Sequence, residues 1–181
     1  MKRLFLIAGL TAFLSLAALA AAGDSPNFSG TWTLDKAKSQ GLDPRMANAE
    51  SVTCVITQDD KNISIEWKIA GGQPPAGGGP GGGAGGGGGQ GRGPAGPQTY
   101  TLDGKEATAE AMGGTNTTKA TWTGKTLELS SVRAGNFNGN DFKFTSVDKL
   151  SLSDDGKTLT VTRHRESQRG TTDSTLVFNK Q

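Results

Sequence analysis

Three arginines stand where apolar side chains set the pattern. Arg133 continues the alternation of Leu127 and Leu129, and Arg163 and Arg165 continue that of Leu159 and Val161. Residues two apart in a strand share a face, so these guanidiniums are expected on the leucine side, near strand ends. A guanidinium taken out of water needs a partner, and its fork of donors fits a carboxylate with two parallel hydrogen bonds. The chemistry on offer is recognition of an anionic headgroup, as on a fatty-acid-like ligand. The alternative is a frayed or bulged strand end that leaves the arginines on a solvated rim. Trp67 shares the phase of Ile63 and Ile65 and faces either the core or a pocket. Tyr100 offers a hydroxyl to a ligand, or is an ordinary strand tyrosine.

Other reactive side chains read more plainly. Cys54 lies in phase with Val52 and Ile56, as a buried, inert thiol would. As the single cysteine it excludes an internal disulfide or a cysteine-based zinc cluster. His164 is the single histidine, on the face of Thr160 and Thr162, and cannot build a multi-histidine metal site. No serine or cysteine nucleophile motif accompanies it. Asp59-Asp60 and Asp154-Asp155 fall in turn sequences, where aspartate bonds to backbone, and not in a cleft that would pair carboxylates for catalysis. No catalytic residue, metal or cofactor is expected.

The elements that position these residues are strands. Period-two alternation predicts ten: 29–34, 50–58, 62–70, 98–103, 105–110, 115–122, 125–133, 141–152, 157–166 and 171–179. Turn sequences separate them, among them Asp103-Gly104-Lys105 and Asp155-Gly156-Lys157, where glycine supplies the positive φ of a hairpin. A short helical turn is expected within 35–46, capped by Asp35. One apolar and one polar face per strand imply an all-β, antiparallel up-and-down barrel of about 8–10 strands, with a two-sheet sandwich as the alternative. Glutamate, lysine, serine and threonine on the second face argue against a membrane barrel.

The first strand carries Phe28-x-Gly30-x-Trp32. With the up-and-down strand pattern, this motif resembles the calycin group: lipocalins, fatty-acid-binding-type barrels and secreted bacterial lipocalin-like proteins. The resemblance implies structural roles for Gly30 and Trp32, with the tryptophan packed across one barrel end beside a basic residue from a late strand. A Thr-Asp-Tyr second signature, a disulfide pair and a helix-turn-helix lid are absent from the sequence.

Residues 1–22 have a basic head, an apolar run and a small-residue exit, the layout of a signal peptide. An uncleaved anchor is the alternative, since the run is nearly long enough to cross a bilayer. After cleavage no integral membrane segment is expected. Removing Lys2 and Arg3 leaves 17 basic against 17 acidic residues, a balance that lacks the electrostatic footprint of a nucleic-acid binder.

Residues 71–97 hold 16 of the 28 glycines and 5 of the 7 prolines, and Arg92 is their single charge. Such a segment cannot bury enough apolar surface to offset its entropy, so a flexible loop within one domain spanning 24–181 is expected. The expected function is non-enzymatic binding of a small lipophilic or amphipathic ligand, in the periplasm or outside the cell. The alternative is a structural or interaction module with a filled barrel and a glycine-rich tether. A small β-barrel enzyme comes third, with no motif behind it.

Overall fold

The computed structural model describes residues 25–71, 96–111, 113–137 and 139–181. The segment expected to be a signal sequence and nearly all of the glycine tract lie outside the described residues, so neither expectation bears on the fold below. Ten strands form: β1 (Gly30–Leu34), β2 (Ser51–Gln58), β3 (Asn62–Ala70), β4 (Gln98–Thr101), β5 (Ala107–Ala111), β6 (Gly114–Thr123), β7 (Thr126–Phe137), β8 (Asn140–Leu152), β9 (Thr158–Ser167) and β10 (Gly170–Lys180). All belong to one antiparallel sheet, in the order β4-β3-β2-β1-β10-β9-β8-β7-β6-β5. Each strand therefore neighbours the next in sequence, except that β1 pairs with β10 and β4 does not pair with β5.

Nine of the ten strands turn one face into one connected core, and the described side chains of β5 are exposed. A single continuous sheet can gather one face into one core by curling on itself. The two-sheet sandwich is thereby excluded. The two edges meet through side chains: β4 lies against β6, and the Tyr100 hydroxyl reaches Ser131 of β7. The result is a nearly closed, antiparallel up-and-down barrel.

The helical turn is displaced from its expected place. Asp35 caps only a bend, its Oδ1 accepting from the Lys38 backbone at 3.2 Å. The helix, α1, is Pro44–Asn48, with Asp43 as its N-cap accepting from the backbone of Arg45 and Met46 at 2.9 and 3.0 Å. Pro44 decides the matter, because its fixed φ and missing N–H suit the first helical position. The Lys36 ammonium then binds the carbonyls of Ala47 and Ala49, holding the end of α1 against β1.

One end of the barrel is filled by its own side chains. Phe28 stacks on Trp122 at 5.9 Å, and Trp32 donates from Nε1 to the Phe28 carbonyl at 2.9 Å. Phe28, Trp32, Ile63, Leu127, Leu159 and Phe178 have no measurable exposure. Burying each contributes about 1.5–3 kcal/mol. Gly30 sits at φ +145°, a backbone state that side-chain-bearing residues rarely adopt, and Lys180 of β10 lies over the Trp32 ring at 5.3 Å. The first-strand motif is thus the plug of this end.

Candidate functional site

The other end is built differently, and the sheet register shows where the change occurs. One inward rung runs Val161, Leu150, Leu127 and Trp122 across β9, β8, β7 and β6. The next runs Arg163, Asp148, Leu129 and Ala120. Beyond it come Arg165, Ser146, Ser131 and Thr118, and then Ser167, Phe144, Arg133 and Asn116. The interior passes from wholly apolar to polar within two rungs. The strand alternation places the β5–β6, β7–β8 and β9–β10 connections, and α1, at this polar end.

Arg163 and Asp148 face each other on adjacent strands. Arg163 donates from Nε to Asp148 Oδ1 at 2.8 Å and from Nη2 to Oδ2 at 2.5 Å. Its guanidinium also lies over the Trp67 ring, 4.7 Å from the centroid. Only 5 % of its side chain is exposed. Burial disfavours the charged form, and the Asp148 carboxylate more than offsets it, so the net shift of Arg163 is upward. Arg163 is therefore committed to Asp148 and Trp67 and forms the floor of the polar end.

Arg165 and Arg133 differ. Among the described residues neither forms an ion pair, and Arg133 Nε is shut off from solvent with no hydrogen-bond partner. Arg165 is exposed, although enough protein lies around it to desolvate its charge in part. Desolvation, and then the Arg163 cation, pull it below its ordinary value without removing its charge. The Asp43 carboxylate at the start of α1 acts on Arg165 from the rim.

Tyr100 is buried. Desolvation, and next the Asp148 carboxylate, raise its pKa, so its hydroxyl is a neutral donor beside Ser131. Trp67 is half-buried, packing edge-on to Phe178 at 5.5 Å while carrying Arg163 on its face. Phe142 and Phe144, with ring centroids 6.0 Å apart, occupy inward positions on β8 and stay half-exposed. The structure brings Trp67, Tyr100, Arg163 and Arg165 together around Asp148, with Arg133 one rung beyond Arg165. Gly30 and Trp32 sit in the opposite plug.

Asp148 is the member that motif reading passes over. Its signal was its phase, since it shares the face of Leu150 and Leu152 and is the one inward carboxylate among the described strand residues. Cys54 is buried beneath the floor, and desolvation pushes its thiol up to about 12. His164 lies on the outer face, with Nδ1 2.6 Å from Asp173 and Nε2 3.3 Å from Glu166. Asp59 and Asp155 accept backbone hydrogen bonds in their turns. Among the described residues no group of three or more histidine, cysteine or acidic side chains could hold a metal ion.

No family model matches the chain, and no curated protein matches it. Solved structures similar to it include the zebrafish ileal bile acid-binding protein in complex with cholic acid. That structure is 14% identical, with a TM-score of 0.47, over 85% of this chain and 98% of its own.

Proposed function

We propose that this chain is an exported, non-enzymatic binding protein that holds a small amphipathic anion in the polar half of its barrel. One observation carries the reading: two inward guanidiniums, Arg165 and Arg133, stand without ion-pair partners beside half-exposed inward aromatics. A ligand carboxylate supplies the missing acceptor with charge-assisted hydrogen bonds. Its apolar part covers Trp67, Phe142 and Phe144, each buried methylene contributing about 0.8 kcal/mol. Because the opposite end is filled by protein side chains, the ligand is short or compact. Export is supported by the sequence pattern of residues 1–22.

Native mass spectrometry of the protein, purified gently from cell envelope or medium, tests both parts. The expected spectrum shows a chain shortened by about 22 residues with a mass excess that leaves as an anionic amphiphile on denaturation. A bare chain that also fails to take up dodecanoate in a titration would overturn the carrier reading. A full-length mass would overturn cleavage of the signal.

A further inference from the structure

The charge balance inside the barrel points past a simple carboxylate. We propose that the ligand carries two negative charges at its head, and that Arg133 selects for the second. The inference rests on the carrier reading above.

The inward strand positions hold four cations and one carboxylate: Arg133, Arg163, Arg165 and Lys180 against Asp148. Lys180 belongs to the plugged end, over Trp32. Asp148 is consumed by Arg163 through both of its oxygens. Asp43 lies at the rim, where its Oδ1 already serves two backbone donors of α1. Two positive charges remain inside the polar mouth.

Their placement lets one head reach both. Arg165 registers on Ser146, and Arg133 on Phe144, so the two arginines flank β8 from either side, two residues apart along it. Strand spacing and rise put their Cα atoms about 10–12 Å apart, within the combined reach of two arginine side chains. Beyond Arg133 the inward positions of β6 and β7 are Gly114 and Gly135, whose backbones pass too closely to admit any side chain. Neither glycine can send a side chain to the guanidinium, and the β8 residue at that level is the apolar Phe142. The desolvated Nε of Arg133 is left without an acceptor, an arrangement that carries a standing cost until an acceptor arrives. A monoanion that meets the exposed Arg165 leaves the desolvated Nε of Arg133 without an acceptor. A phosphate monoester, or two carboxylates on adjacent carbons, satisfies both.

Calorimetric titration of the mature chain at pH 8 with three probes sharing a twelve-carbon tail separates the cases. Dodecanoate carries one charge, whereas dodecyl phosphate and dodecylsuccinate carry two. At least one dianion is expected to bind about tenfold more tightly than dodecanoate. Preference for the phosphate alone identifies a single doubly charged group, and preference for the succinate alone identifies two spaced carboxylates. Arg133→Gln is expected to abolish the preference, weakening the preferred dianion about tenfold more than it weakens dodecanoate. Without any variant, the affinity of the preferred dianion should fall more steeply with added salt than that of dodecanoate. Equal affinity for all three probes, or an equal loss for all three in Arg133→Gln, overturns the dianion proposal and leaves the carrier intact. Failure of all three to bind overturns both.

Discussion

Asp148 decides what each arginine is for. By binding the Nε–Nη2 edge of an Arg163 guanidinium whose face lies on Trp67 it makes that residue structural, and by acting on no other cation at contact distance it leaves Arg165 and Arg133 for something else. Removing one partner of a buried pair strands the other charge, which costs about 3–5 kcal/mol, whereas replacing both by apolar residues is often neutral or better. Asp148→Ala is therefore expected to lower the free energy of unfolding by roughly that amount, measured by urea titration. The double variant Asp148→Leu/Arg163→Met should recover most of the loss. A double variant as unstable as the single one would show that the pair has a role beyond mutual compensation, for instance in holding Trp67 through the guanidinium on its face.

The β9–β10 hairpin carries opposite chemistry on its two faces. Inward it presents Arg163 and Arg165, and outward it places His164 opposite Asp173 with Glu166 alongside. Hydrogen bonds from His164 to Asp173 and then to Glu166 raise the histidine pKa above its ordinary 6.5. A raised folded-state value means that the protonated form favours folding. That contribution is complete below about 6.5, the unfolded value, and disappears as pH rises through the folded value. The melting temperature is thus expected to decline from about pH 6.5 upward, with His164→Gln removing that slope; an unchanged slope in the variant would place its origin elsewhere.

These strands were legible in advance, because alternation and Asp-Gly turns are local signals. The ten expected segments match the ten observed, with shifts of a few residues such as 105–110 against Ala107–Ala111. The helix was misplaced because Asp35 and Asp43 are both plausible caps, and only the proline after Asp43 tells them apart. Asp148 stayed hidden for another reason. Its meaning comes from Arg163, fifteen residues away on the neighbouring strand, and no local pattern announces a cross-strand partner.

Across the whole barrel, one end is packed apolar core and the other carries polar, partly exposed inward residues. Burial is complete in the plug and persists up to the rung of Arg163, Leu129 and Ala120, and the inward residues beyond it are mostly partly exposed. The glycine tract joins β3 to β4 at the polar end, and its anchors are already fixed by the ladder between Ile65 and Gln98. Loop-closure cost grows only with the logarithm of length, so replacing 71–97 by a six-residue linker should favour folding by about 1 kcal/mol. We expect such a variant to melt at an equal or higher temperature and to bind dodecanoate as the full chain does. Loss of binding with the fold preserved would assign the tract a part in the site, and loss of a protein partner alone would favour a tether.

The pairing of β1 with β10 has a consequence for the order of events in the cell. Trp32 lies opposite Cys54 on one side and Lys180 on the other. The residue that anchors the plug lies within the first of the ten described strands, and the strand that completes its burial follows all the others. No partial product of the ribosome that lacks β10 can close the barrel. The plug therefore stays open until β10 has been made, however early Trp32 emerges.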